Sequence, residues 1–305
     1  MIDQLKDLAE ENLNKLEIVS VDKIKILKNE IMELQKTTEL NGFHKWVINK
    51  MYSFKIPPAM KSVIIVAVPS LTSYANITFN RNGKKYDLYG TVSVPLAKTK
   101  RYITAAVKKM GYSIKNEFRL PLKRLAVQSG LAEYGKNNIT YVKGMGSFLS
   151  YLAFSTDMPC KKDSWRKAVV SKDCANCDKC IKNCPTGAIK KDKFLFDVGM
   201  CLSFYNENEN DFPEWFPDKA HHTPYDCLKC QVNCPMNSKN LETTDVFFDE
   251  AETKRILKGK PYKDVSKELK AKIAILELDK WASIPRNINK LLDLMDEGYA
   301  PSLKK

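Results

Sequence analysis

Apolar positions recur at steps of mostly three and four residues from the start of the chain. Leu5, Leu8, Leu13, Leu16 and Ile18 are followed by Ile24, Leu27, Ile31 and Leu34, with acids and lysines between them. This period predicts helix up to about residue 45. Ser62–Pro69 (SVIIVAVP) is a short unbroken β-branched run, which predicts a strand buried on both faces in the middle of a sheet. Asn80-Arg-Asn-Gly83 reads as a turn. Leu96–Met110 returns to helical spacing, with Ala97, Ile103, Val107 and Met110 on one stripe and Gly111 as its C-terminal stop. A shorter helix is predicted over Leu120–Gly130, entered through Pro121. Strands are predicted at Ile139–Val142 and Leu149–Ser155, either side of the turn Gly144-Met-Gly-Ser147.

Between about residues 170 and 240 the period fades into loops and prolines. It returns as three short helices over Asp249–Leu257, Val265–Leu276 and Ile288–Met295, punctuated by Pro261 and Pro285. The fold class expected is α+β. An α/β domain over 1–165 would bind cofactor and substrate, a metal-rich segment would span 166–245, and a helical segment over 246–305 would pack on the rest.

Composition changes the picture in two places. Among 305 residues, Lys and Arg number 50 and Asp and Glu 36, a formal charge of +14. Nine cysteines are present, and eight of them lie between Cys174 and Cys234. No apolar stretch approaches the ~20 residues of a membrane span. The acid-bearing start, MIDQLKDLAEENLNKLEI, is not expected to be a secretory leader. A cytoplasmic chain is expected, where thiols stay reduced and clustered cysteines point to metal.

Cys174, Cys177, Cys180 and Cys184, followed by Pro185, form C-x2-C-x2-C-x3-C-P. In the bacterial ferredoxin pattern the first three thiolates hold one [4Fe–4S] cube and the fourth ligates a second. The second set is present as Cys201 and Cys227-Leu-Lys-Cys230-Gln-Val-Asn-Cys234-Pro235. Crossed ligation assigns Cys174, Cys177, Cys180 and Cys234 to cube one, and Cys184, Cys201, Cys227 and Cys230 to cube two. Two structural zinc sites are the alternative, but zinc gives no reason for a triple at these spacings ending twice in Cys-Pro. Cys160 stands outside both sets and is expected to be a free thiol.

The order of Leu125-Ala-Val-Gln-Ser-Gly-Leu131, Tyr134-Gly-Lys-Asn-Asn138, Gly146-Ser-Phe148, Thr156-Asp157 and the two cysteine motifs resembles the epoxyqueuosine reductase family. The resemblance covers about residues 60–245 and is most specific over 174–237. It implies two [4Fe–4S] clusters in a ferredoxin-like domain, and a cobalamin-binding domain like that of reductive dehalogenases. It also implies a corrinoid that removes an epoxide oxygen from a modified tRNA base. The family's catalytic Asp has no direct counterpart in Asn116-Glu117-Phe118-Arg119-Leu120-Pro121, and Glu117 is the acid that stands nearest. On this resemblance Gly135, Lys136, Asn137, Gly144, Gly146 and Ser147 are candidate cofactor contacts, since glycine lets a planar macrocycle approach the main chain. The same glycines would also serve simply to end elements.

The implied function is an iron–sulfur oxidoreductase passing single electrons to a cobalamin or similar centre. The implied partners are a low-potential donor such as a ferredoxin or flavodoxin, and a tRNA or corrinoid protein. The alternative is a reductive activator without substrate chemistry of its own. The charge supports tRNA only mildly, because two cubes with their thiolates lower it to about +10. Lysines are spread along the chain, and no aromatic-interleaved basic stripe stands out. His221 and His222 precede Cys227 and are expected in a solvated loop near the cube. Trp215 is expected to cover cube two and exclude water.

Overall fold

The computed structural model describes residues 2–37, 40, 42–52, 54–117, 119–237, 241–260, 262–280 and 282–303. Pro261 and Phe118 lie outside them. The chain divides into two compact units, each built from separated stretches. The first holds residues 1–69, 94–135 and 139–175, and the second 70–93, 136–138 and 176–305. This division differs from the three consecutive segments the sequence suggested.

The first unit is a four-stranded antiparallel sheet ordered β1 (Lys15–Ser20), β2 (Ser62–Pro69), β8 (Leu149–Thr156) and β5 (Ile114–Glu117). The period of two along β2 divides its side chains between two cores. Val63, Ile65 and Ala67 face α2 (Val21–Thr37) and α5 (Leu122–Gln128), where Ile24, Leu27, Leu125 and Val127 are buried. Ile64, Val66 and Val68 face α1 (Ile2–Glu11) and α4 (Leu96–Lys109), where Leu5, Ala9, Ile103 and Val107 are buried. A strand covered on both faces reads as an unbroken apolar run, which is why β2 stands out in the sequence. The neighbours of β2 run antiparallel.

The expected continuous N-terminal helix is corrected. Leu16, Ile18 and Val19 belong to β1, reached through Leu13 at φ 60. Helical spacing on one side and strand alternation on the other are hard to tell apart across so short a junction. The unit also holds α3 (Gly42–Trp46) and a two-stranded ribbon, β6 (Glu133–Tyr134) with β7 (Thr140–Tyr141).

The second unit carries a three-stranded sheet ordered β4 (Lys84–Gly90), β3 (Tyr74–Arg81) and β9 (Thr243–Phe248), with β9 parallel to β3. Asn82 and Gly83, at φ 54 and 73, form the two-residue turn between β3 and β4, as Asn-Gly in this position should. Ile77, Phe79, Leu88 and Phe248 pack against α9 (Glu250–Leu257), α10 (Lys267–Ile275) and α11 (Ile284–Asp296). These are the three helices foreseen at the C-terminal end. Asp249 and Glu252 close a reciprocal cap on α9.

Candidate iron–sulfur site

The cysteines sit on short helical turns separated by loops. Cys174 ends a single 3-10 turn in the first unit, where its N–H donates to the Ser171 carbonyl at 3.0 Å. In the second unit, α6 (Lys179–Asn183) carries Cys180 and α8 (Lys229–Val232) carries Cys230. These two helices pack against one another. Each is followed by a Cys-Pro step. Cys184 is extended (φ −67, ψ 117), so the chain leaves the helix there and Pro185 cannot continue it. The packing of α6 on α8 brings a helix from each motif together, one carrying Cys180 and the other Cys230.

The thiols of the second set lie within electrostatic reach of one another. Enclosure in the protein pushes the Cys201 thiol up to about 12, with Cys184 adding to it. Cys227 is raised well above the usual thiol range by enclosure, then by Cys201 and Cys230. Cys230 is raised likewise, by enclosure and then by Cys201, Cys184 and Cys180. The enclosed thiols of Cys201, Cys227 and Cys230 resist ionising by themselves. A cationic iron cluster is the kind of group that holds them as thiolates, so the donor set fits a cube.

The surrounding polar groups fix the loops. The Asn206 amide donates to the carbonyls of Thr223 (3.1 Å) and Asp226 (2.9 Å). Asn287, on α11, donates to the carbonyls of Asn206 and Pro224, both at 2.8 Å. Asp226, at φ 60, accepts the Cys227 N–H at 2.9 Å and the Ser203 hydroxyl at 2.5 Å. His222 donates from Nδ1 to the Ala220 carbonyl at 2.7 Å, and its Nε2 accepts the Leu228 N–H at 3.3 Å. That N–H lies inside the Cys227–Cys230 turn, so His222 shapes the turn directly.

Two expectations are corrected here. His221 and His222 are 2 % and 0 % exposed, not solvated. Burial lowers them to about 4 and about 3, which keeps both rings neutral. Trp215 is half-exposed and stacks edge-on against Tyr205, while Phe216 and Phe212 pack with Leu202 and Cys227 in the buried cluster. The apolar cover of this side is therefore phenylalanine.

The candidate cofactor residues divide between the two units. Lys136 and Asn137 belong to the second unit and bracket the two motifs. Lys136 Nζ donates to the Cys177 carbonyl at 3.0 Å, and the Asn137 amide to the Cys230 carbonyl at 3.4 Å. Gly135, Gly144, Gly146 and Ser147 belong to the first unit. Val142 and Gly146 exchange backbone bonds around a tight turn in which Gly144 and Gly146 take φ 82 and 73. A Cβ on Gly144 would meet only the Lys15 ammonium, at 3.7 Å, so backbone conformation alone accounts for glycine at that position. Glu117 is buried at the end of β5, where it accepts the Ser155 hydroxyl at 2.7 Å and pairs with Lys115 at 3.4 Å. Cys160 is half-buried, and its thiol donates to the Lys162 carbonyl at 3.3 Å.

Sequence reasoning missed Ser203, Glu207 and Asp226. The only linear signal was an aspartate immediately before Cys227.

A family described as a 4Fe-4S double cluster binding domain matches residues 173–237. The chain is 24% identical over 237 residues to the epoxyqueuosine reductase of Bacillus cereus, across 74% of this chain and 61% of that one. It thus spans about three fifths of the length of that curated relative. The solved epoxyqueuosine reductase of Streptococcus thermophilus matches 99% of this chain and 86% of its own, with TM-score 0.64 at 17% identity. Another solved epoxyqueuosine reductase, with an epoxyqueuosine-modified tRNA stem loop, matches 95% of this chain and 80% of its own, with TM-score 0.61 at 20% identity. At these identities the likeness is one of fold. No helix among the described residues is long and apolar enough to cross a membrane.

Proposed function

We propose that this chain, an epoxyqueuosine reductase-like family member, passes single electrons through two [4Fe–4S] clusters to a cobalamin for a reductive reaction on a tRNA base. The observation that carries the reading is the pair of cysteine motifs on α6 and α8, within the span of the double-cluster family match. In the proposal Cys174, Cys177, Cys180 and Cys234 hold cube one, and Cys184, Cys201, Cys227 and Cys230 hold cube two. When bound, a corrinoid supplies a metal centre able to combine two single electrons into one two-electron reduction. The chain's own part is to hold the thiolates, exclude water with Phe212 and Phe216, and fix the loops through Lys136, Asn137 and His222. Glu117 is proposed as the acid of the substrate site, held by Ser155. The proposed setting is the cytoplasm, with a low-potential ferredoxin or flavodoxin as electron donor.

A second reading has a specific observation in its favour. Lys136 and Asn137 are engaged by the cysteine loops. An electron-transfer protein serving a corrinoid-bearing or metalloenzyme partner needs those contacts and no resident corrinoid. Anaerobic reconstitution followed by cobalamin titration, read by visible spectrum and calorimetry, separates the two. Stoichiometric binding is expected for the reductase. Clusters without any cobalamin binding would leave the carrier.

A further inference from the structure

In the first unit, α4 carries Lys98, Lys100, Arg101, Lys108 and Lys109, all exposed, and no acid. No Asp or Glu occurs anywhere between Asp87 and Glu117. At about 100° per residue, Lys98, Arg101, Lys108 and Lys109 share about 100° of arc, and a rise of about 1.5 Å per residue spreads them over about 16 Å. That arc lies opposite Ile103 and Val107, which are buried in the core under the helix. Lys100 flanks it. The runs Lys98–Arg101 and Lys108–Lys109 look separate in the sequence, and the helix makes them one surface. Other helices differ. α2 sets Asp22, Glu30 and Glu33 among its lysines, α10 sets Glu268 beside Lys267, and α7 (Leu202–Asn206) carries no charge.

The arrangement works against the helix itself. Lys98 lies in the first turn, where the macrodipole favours acids, and it repels Arg101 three residues on. None of the five cations joins an ion pair among the described residues. The elements packed against α4 are α1, β5 and β8. On β5, Glu117 pairs with Lys115. α1 carries Asp3, Asp7, Glu10 and Glu11, and none of them reaches an α4 cation. Local conflict of this kind marks a surface kept for binding.

The face also selects its partner. A protein interface has an apolar centre, but no large exposed hydrophobic side chain lies on α4, and Ala97, Thr104 and Ala105 stand among the cations. A helix lying on a membrane buries its apolar stripe in lipid, but the stripe of α4 is already core. What remains is a polyanion held by charge, with small side chains that let its backbone come close. The phosphate backbone of RNA has this chemistry.

We infer that the outward face of α4, through Lys98, Arg101, Lys108 and Lys109, is a phosphate-binding surface for the RNA on which this chain acts. The inference rests on the reading that the substrate is a tRNA base. These contacts supply affinity and position, and carry no sequence information.

The test is fluorescence anisotropy of a labelled, unmodified tRNA transcript with the anaerobically loaded full chain, from about 50 to about 200 mM salt. Wild-type affinity should fall steeply with salt. The variant Lys98→Gln/Arg101→Gln/Lys108→Gln/Lys109→Gln should bind at least about 100-fold more weakly at low salt, with a log–log salt slope smaller by about 3. It should keep its iron content and thermal midpoint, since all four side chains are exposed. Lys98→Arg/Lys108→Arg/Lys109→Arg keeps the charge and should bind as the wild type does. Lys254→Gln/Lys258→Gln/Lys267→Gln/Lys270→Gln removes four exposed charges elsewhere and should leave the slope unchanged. Equal loss in both Gln variants would reduce the effect to net charge and overturn the inference. A wild-type slope that survives in the α4 variant would overturn it too, leaving the tRNA reading to another surface. Phosphatidylserine vesicles that bind only with α4 intact, while tRNA binds both proteins alike, would assign the face to lipid and overturn it. A wild type that binds no tRNA at low salt would remove the inference and the tRNA reading together.

Discussion

The side-chain amide of Asn137 donates to the main-chain carbonyl of Cys230 at 3.4 Å. Its neighbour Lys136 donates to the carbonyl of Cys177 at 3.0 Å. Adjacent side chains thus hold one turn of each cysteine motif. Replacing Asn137 with Ala leaves a carbonyl beside a cluster ligand without this donor. The expected cost is about 1–2 kcal/mol. Clusters should then bleach roughly tenfold faster in air than in the wild type, with unchanged iron content after anaerobic loading. Equal bleaching rates would deny the bracing role.

Crossed ligation makes an unequal prediction for two cysteines that close their motifs alike. Cys184→Ser should remove cube two and Cys234→Ser cube one, each lowering iron from about eight to about four per chain. Each variant should retain a different EPR spectrum.

Stability should carry two opposed pH terms. His221 and His222 fall from the usual 6.5 to about 4 and about 3 because burial opposes their charged forms. The unfolded chain therefore takes up protons first as pH falls. Their stabilisation is complete above about 6.5 and is lost on the way down, about 2 kcal/mol each by pH 5. Glu207 is raised from 4.5 to about 7, so its contribution is complete below 4.5 and is lost as pH rises through 7. Between pH 5 and 6.5 the terms partly cancel. The two histidine terms together outweigh the Glu207 term, so thermal unfolding of the loaded wild type should still rise with pH there, less steeply than the histidines alone would give. Glu207→Gln should steepen the fall of the midpoint below pH 6.5, and adding His222→Asn should roughly halve it, leaving the His221 part.

Glu117 is the acid proposed for the substrate site, and it accepts the Ser155 hydroxyl at 2.7 Å. Glu117→Gln keeps the shape of the side chain and its bond from Ser155, so the fold and both clusters should survive. Turnover in the reductive reaction should fall about 100-fold. Wild-type turnover in this variant would reduce Glu117 to a structural partner of Ser155 and Lys115.

Features set by local pattern were legible in the sequence, and features set by long-range contact were not. β2, α4 and the Asn82–Gly83 turn followed from apolar spacing and positive-φ chemistry. The two cysteine motifs stood out as well, because ferredoxin spacing is local, and the double-cluster family match spans both. β1 was hidden in a helical period. β9 was missed because its pairing partner β3 lies some 170 residues away and its alternation is short. The employment of Lys136 and Asn137 was invisible for the same reason. Their partners, Cys177 and Cys230, are 41 and 93 residues distant. His221 and His222 looked solvated because no periodic apolar pattern surrounds them, yet Phe212, Phe216 and Leu228 enclose them in three dimensions.

The central claim is that this chain holds two [4Fe–4S] clusters. Anaerobic purification or reconstitution, with iron and acid-labile sulfide analysis and EPR of the dithionite-reduced protein, measures it most directly. A brown protein with about eight irons and eight sulfides per chain and two interacting reduced-cluster signals is the result expected. A colourless protein with about two zinc ions per chain and no sulfide would contradict it.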